Sequence, residues 1–410
     1  MRAIICGAGI AGLSCALQLH RQGWAVTVVE SAAGPRAEGY MLDFFGPGYA
    51  AAETMGILPR LRELSHPISE LVYVDDHGRR RAGAGYARFA RALDGRLMSL
   101  MRPDLELALR EQVAGSVDLR FGCTVDRIDD GPGSVRGVLD DGTVLEADLL
   151  VGADGIHSRT RSLVFGPEEQ YIRLLGLHTA AFTFTDPHLP ALLGDRLHLT
   201  DTVDRMMGLY ALRDGRTAVF TVHRTPEAAR PDDARAALRT AFAGLGWLVP
   251  AALDRCPPSG GMYYDVVAQV EAPRWSTGHV VLAGDACQAV SLVAGQGASL
   301  AVAGASVLAA QLASAPTVPD GLSAYERRWR PVVAERQRAG RSGIEWFLPS
   351  SSATLRKRHA ALRLLALPGL NRALAGSLLG RTRVPAAGPG PDPMDAVNGA
   401  EALRWRRGTN

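Results

Sequence analysis

Arg2-Ala3-Ile4-Ile5-Cys6-Gly7-Ala8-Gly9-Ile10-Ala11-Gly12 is followed by a helical run to about Gln22 and then by Ala25-Val26-Thr27-Val28-Val29-Glu30. An apolar run of strand length meets a glycine turn, an amphipathic helix follows, and a second β-branched run ends in a carboxylate. That pattern is a βαβ nucleotide-binding unit. Gly7 permits the tight turn, Gly9 admits a pyrophosphate to the backbone at the helix N-terminus, and Gly12 lets helix and strand pack closely, with Ala11 in the same loop. Glu30 is placed to accept hydrogen bonds from a ribose hydroxyl. The unit alone leaves open which dinucleotide it holds.

Composition bounds the rest. The 410 residues suffice for two domains or one large domain with an insertion, and 47% hydrophobic against 21% charged residues describes an ordinary globular chain. A net charge of +3 gives no case for nucleic acid. Lys357 is the only lysine, so a mechanism needing a core lysine is excluded. Cys6, Cys15, Cys123, Cys256 and Cys287 lack metal-ligand spacing and read as reduced thiols, which implies a cytoplasmic protein without a metal. Gly7, Gly9 and Gly12 interrupt the N-terminal apolar run, so it reads as folded protein rather than a signal peptide. No uninterrupted apolar stretch reaches membrane-spanning length, and no span is expected.

Further along, residues 31–40 read as a loop leading into Met41-Leu42-Asp43, which either approaches a cofactor ring or is a plain connector. Leu71–Val74 and Arg79–Ala82 read as a hairpin, and Pro103 opens a helix with Arg102 just before it as an inward-pointing cation. Leu149–Val151 runs as a buried strand into Gly152-Ala153-Asp154-Gly155, where Asp154 either approaches a ribose or pyrophosphate or caps the helix that opens near Ser158. From Tyr171 to His223 the β-branched and aromatic runs predict a mostly antiparallel sheet forming a second domain. Met206, Tyr210 and Phe220, with His178, His198 and His223, are candidates to line a pocket there; a filled core or solvated face is the alternative. Gly278–Ala283 is again a buried strand, closed by Gly284-Asp285-Ala286 and a small-residue loop to Gly295-Gln296-Gly297. A long alanine-rich helix follows from about Ala298, its first N–H groups facing whatever occupies the loop. Tyr325–Gly340 reads as a charged helix. Residues 346–391 carry arginines and no acid, with Leu367, Leu370, Leu374 and Leu378 at helical spacing, which predicts basic amphipathic helices. These either pack on the body with arginines outward or offer weak contact to anionic lipid or an acidic carrier protein.

Three glycine-and-acid elements at strand ends fit one extended cofactor better than a nicotinamide nucleotide. On Gly7–Gly12 with Glu30, Gly152–Gly155, and Gly284-Asp285-Ala286 with Gly295-Gln296-Gly297, residues 1–345 resemble the FAD-dependent class A monooxygenases of the para-hydroxybenzoate hydroxylase type. Within that group the chain is similar to the smaller tetracycline-monooxygenase-like tailoring and resistance enzymes. The resemblance implies an α/β fold with a Rossmann-like, glutathione-reductase-type FAD-binding domain in three pieces, 1–72, 97–167 and 272–345. It further implies a mostly antiparallel substrate-binding sheet at 73–96 and 168–271, then C-terminal basic helices at 346–384 and a tail at 385–410. By position, Glu30 would bind the adenosine ribose, Arg102 the ribityl or pyrophosphate portion, Asp285 the ribityl chain, and Asp154 would assist FAD and the reductant. Gly39–Asp43 would lie beside the isoalloxazine ring, and the helix from Ala298 would aim its N-terminus at the flavin O2. NAD(P)H would reduce the flavin, O2 would form a C4a-hydroperoxide, and an aromatic or polycyclic natural product would take one oxygen atom, with no side-chain nucleophile.

Two departures from the family pattern stand out: Gln288 where many members have His, and Leu292 where they have Pro. Gly304-Ala305 likewise replaces Asp-Ala. Alternatives on the same scaffold are an FAD oxidase or dehydrogenase without oxygen insertion, and a non-catalytic flavin- or drug-binding protein. A flavin halogenase is excluded, because that branch needs a core lysine. The substrate, NADH against NADPH, and oligomeric state are left open.

Overall fold

The computed structural model describes residues 1–35, 39–292 and 295–365. Arg2–Cys6 pairs in parallel with Ala25–Glu30 on one side and Leu149–Gly152 on the other, and Leu149–Gly152 pairs with Val280–Leu282. Asp118–Phe121 and Ser276–Thr277 complete the edges of this six-stranded sheet. Both faces of its central strands are buried, as uninterrupted apolar runs in a parallel sheet require. Ile5, Val28 and Val151 face the helices Ile10–Arg21 and Arg102–Val113, whereas Ile4, Val29 and Leu150 face a three-stranded meander, Val125–Gly131, Ser134–Leu139 and Val144–Ala147.

Register does the functional work here. Cys6 lies opposite both Val29 and Gly152, and Gly152 lies opposite Leu282. All three glycine motifs therefore leave the carboxyl ends of neighbouring strands on one edge, the crevice where ligands bind in such sheets.

The second, seven-stranded sheet has the order Tyr263–Val270, Ile172–Thr185, Arg216–Arg224, Arg205–Ala211, Arg196–Thr202, Glu70–Val74, Arg80–Gly85. Only the Arg196–Thr202 and Glu70–Val74 pair is parallel among the pairings described. Glu70–Val74 is one continuous strand, so a domain boundary at 73 would cut through its ladder. The far face carries Phe182, Leu209 and Val219 beneath the helices Ala234–Ala241 and Val249–Asp254. The near face looks towards the first sheet, and the ribbon of Met41–Phe45 paired with Leu97–Met101 runs between them.

Helix Gly297–Ser314 is long and apolar enough to cross a membrane by length and composition alone. Gly304, Ser306 and Gln311 punctuate it, so it is not an unbroken apolar run. Its apolar surface is used inside the protein, packed against Ile10–Arg21, Pro47–Thr54 and the 30-residue helix Val318–Phe347. That last helix is longer than the 325–340 segment read from its charges, and Pro331 lies within it.

The helix Ser352–Leu365 corrects an expectation. Arg358 points inward: it is 2% exposed and donates to the Trp346 and Phe347 carbonyls and to the buried Asp201, which also holds His359 at 2.9 Å. A buried carboxylate needs such partners, and the basic pattern could not reveal that one arginine had this task. Arg356, Lys357 and Arg363 are exposed. The leucine repeat at 367–378 and the 385–410 tail lie outside the described residues.

Candidate functional site

Two cavities line the carboxyl edge of the first sheet. The first, about 180 Å³, is walled by Gly7, Gly9, Glu30, Asp154 and Arg102, and the second, about 380 Å³, opens between the sheets. They share Gly9, Arg102, Ala153 and Gly155, so they form one trough.

The narrow end is shaped by glycine backbone at Gly7, Gly9 and Gly155, with Glu30, Asp154 and Arg102 among the side chains around it. Gly7 has φ 104°, and a Cβ there would stand 2.5 Å from the Ala153 carbonyl oxygen. At Gly12 a Cβ would lie 1.9 Å from the Gly7 oxygen, so no other residue allows that helix to start so close to its strand. Gly9 ends the helix without a side-chain cap and leaves its first N–H groups to the trough. Glu30 accepts from the Ala8 and Ala32 N–H groups at 2.9 Å each, which fixes its carboxylate at the rim. Asp154 accepts from Ser158 Oγ and, at 2.8 Å, from the Thr160 N–H. Its carboxylate therefore organises the start of helix Arg159–Val164 while lining the trough.

At the junction Arg102 pairs with Glu106 at 2.8 Å. Asp285 begins the short helix Asp285–Gln288, and Gly284 (φ 60°) precedes it against Ala11, whose Cβ would be 2.4 Å from a Cβ at 284. Burial pushes the Asp285 carboxyl up, and Arg102 acts against this. Gly295, Gln296, Gly297 and Ala298 line the wide end, where helix Gly297–Ser314 starts without a side-chain cap; the buried Gln296 Oε1 has no hydrogen-bond partner. Uncapped donors at two helix starts and an orphaned acceptor fit an extended, polar, pyrophosphate-bearing ligand.

The comparisons with known proteins agree with this geometry. The family described as FAD binding domain matches residues 1–339. The chain belongs to this FAD-binding family. An uncharacterised Mycobacterium tuberculosis protein, Rv1260, is 33% identical over 76% of this chain and 85% of its own length. The flavin-dependent monooxygenase eupH of Phoma sp is 30% identical over 86% of this chain and 89% of its own. Among solved structures, the tetracycline destructase Tet(51) superimposes with a TM-score of 0.75 at 25% identity, covering 89% of this chain and 96% of that one. The protein is thus an FAD-dependent monooxygenase of class A.

In this monooxygenase the wide end of the trough is built from side chains of the second sheet. Tyr210, Phe220 and Leu292 line it, with Leu197, Val267 and Phe347. Met206 does not: it is 2% exposed and packs behind the wall with Val222 and Leu348. His178, His198 and His223 lie off the trough as well. His178 and His223 sit edge to face, with His178 bonded to Tyr264 and His223 against Phe242. For the histidines strand alternation decides this: they pair onto the far face with Leu209, whereas Met206 shares the near face with Phe220 and is simply packed over. A signal did exist for Phe220. Gly208 is its cross-strand partner, and a Cβ at 208 would fall 2.1 Å from the Phe220 ring, so a glycine inside a strand marked where that ring turns over its neighbour.

The departures from the family pattern resolve into one packing unit. Gln288 is buried, accepts from Trp329 Nε1 at 2.7 Å and donates to the Leu300 carbonyl at 3.2 Å, so it faces away from the trough. A Cβ at Gly304 would stand 2.8 Å from Trp329 Nε1, so Gly304 makes room for that bond. Leu292 alone reaches the trough, beside Ser291, which holds a positive φ of 79°.

Arg161 was not singled out by its sequence position. It is fully buried and donates to the carbonyls of Ala286 at 2.9 Å and Ile156 at 2.7 Å, tying the second glycine motif to the third. Beyond it, His157 lies 3.3 Å from Asp265 and 2.9 Å from Glu168. Asp265 and then Glu168 raise its pKa to about 9, leaving a fixed positive charge behind Asp265 at the trough wall. Among the described residues there is no cluster able to hold a metal ion.

Proposed function

We propose that this monooxygenase uses NAD(P)H and O2 to hydroxylate an aromatic or polycyclic small molecule. The observation that carries the reading is the continuous trough: a backbone-lined end at Glu30 and Gly9 joined through Arg102 to an apolar chamber under the second sheet. In this reading Glu30 holds the adenosine ribose, while the helix start at Gly9 and Arg102 hold the pyrophosphate. Asp285 takes the ribityl hydroxyls, and the start of helix Gly297–Ser314 faces the ring, next to Met41–Asp43. Bound FAD supplies hydride acceptance and oxygen activation. Phe220, Val267, Leu292 and Phe347 exclude water from the ring's substrate side and favour a flat apolar molecule. The activity in the name of the tetracycline destructase supports a polycyclic phenolic class. All five thiols are free, which supports a reducing compartment.

The test uses the FAD-loaded protein mixed anaerobically with NADPH or NADH and a panel of polycyclic phenols, then with O2. Substrate-stimulated bleaching of the flavin and a product one oxygen atom heavier are expected. Stoichiometric peroxide with no oxygenated product would make it an oxidase, and a flavin that stays yellow throughout would leave only binding.

A further inference from the structure

Asp43 faces the trough from the strand Met41–Phe45, directly opposite Ser99 on Leu97–Met101. Ser99 is 3% exposed, and its Oγ lies 3.1 Å from Asp43 Oδ1 and 3.0 Å from the Tyr86 hydroxyl. One hydroxyl hydrogen cannot serve both contacts. If Ser99 donates to the carboxylate, then Tyr86 donates to Ser99. Tyr86 is half-buried and opens the helix Tyr86–Ala92, which has no buried residue, so this three-group chain leads from the reaction chamber to a surface helix.

We propose that Tyr86, Ser99 and Asp43 form a proton path from solvent into the chamber. The inference rests on the monooxygenase reading above. Its balance is RH + O2 + NAD(P)H + H⁺ giving ROH + NAD(P)⁺ + H2O, so each turnover consumes one proton that must enter a water-excluding site. Asp43 gives its proton to the oxygen leaving as water; Ser99 restores it, Tyr86 reprotonates Ser99, and solvent reprotonates Tyr86. No bond other than these O–H bonds changes along the path.

The surroundings suit this task. Asp43 remains accessible, but its open side looks into the trough, and burial there pushes its carboxyl up to about 6 while Ser99 acts against the rise. A carboxyl titrating near neutrality can both take and give a proton at physiological pH. The other titratable groups about this strand pair are Tyr210, whose hydroxyl accepts from the Met41 N–H, Arg102 with Glu106, and His66 with Asp104 behind Ser99. A further carboxylate on the trough wall, Asp265, contacts His157 at 3.3 Å.

Tyr86→Phe keeps the ring and lies outside the chamber, which makes it the decisive variant. With FAD affinity and melting temperature as in the wild type, turnover should fall about tenfold at pH 8 and less at pH 6, where solvent protons are more plentiful. Ser99→Ala should do the same and Ser99→Thr should restore it, whereas Asp43→Asn should cost about a hundredfold. Independently of activity, the Asp43 carboxyl followed by ¹³C NMR in the flavin-free protein should titrate higher in Ser99→Ala. Unchanged pH profiles in Tyr86→Phe and Ser99→Ala, or an unmoved Asp43 titration, overturn the path while oxygen insertion by the wild type stands. A wild type that inserts no oxygen overturns the functional reading and the path with it.

Discussion

The two ends of the trough are built by different means. At the adenosine end the contacts are glycine backbones and helix starts, each fixed by a short local motif. At the ring end they are side chains from strands far apart in sequence, such as Leu197, Phe220 and Val267, assembled by sheet register. At Gly7 and Gly12 the first kind of site tolerates no added atom, because the clashes there are with backbone. The second tolerates substitution and tunes what is bound.

The largest effect should come from Gly12→Ala, whose methyl would meet the Gly7 carbonyl. A cost of about 3 kcal/mol or more is expected, with loss of bound FAD measured by absorbance and a lowered melting temperature. An FAD-replete variant with wild-type melting would break the contrast. Arg161→Met should follow, at about 3 kcal/mol in denaturant unfolding, since it strips the donors from Ala286 and Ile156 at once. Arg159→Ala, which breaks only an exposed pair with Asp126, should stay within about 0.5 kcal/mol.

The far face of the second sheet adds a pH dependence. Burial first, and then His178, lower the His223 pKa to about 4, and burial lowers that of His178. The unfolded chain takes up these protons near pH 6.5 and the folded one only lower. Stability should therefore be level above pH 6.5 and fall, by at most about 1.4 kcal/mol per pH unit for each histidine, towards pH 4. Urea unfolding across that range checks it, and His223→Phe should flatten the slope. Phe220→Leu should act on substrate binding alone. FAD content should be unchanged while KM for a polycyclic substrate rises about tenfold, roughly 1.4 kcal/mol of lost contact. Equal loss of FAD would show that the two ends are not separable.

The same contrast explains what was legible. Asp285 and the start of the Ala298 helix reach the trough because each lies within a few residues of a glycine motif that fixes its backbone, whereas Glu30 reaches it from the end of the second strand of the βαβ unit and Arg102 from the start of its own helix. Met206 and Phe220 were equal candidates in sequence and share one face of the sheet, and only the packing of Met206 against Val222 and Leu348 kept it out of the chamber that Phe220 lines. Gln288 and Gly304 looked like unrelated departures until Trp329, from a helix more than twenty residues further on, joined them.

By itself, then, the sequence determined the βαβ start, the three strand-end motifs and the dinucleotide they imply, because glycine φ freedom and apolar periodicity are local physics. Tertiary structure decided which faces meet. It turned Arg161 and Arg358 inward, moved the histidines away from the chamber, and set Asp43 opposite Ser99 within reach of Tyr86. Those outcomes depend on strand register and on desolvation by distant neighbours, and neither is a property of any short stretch of chain.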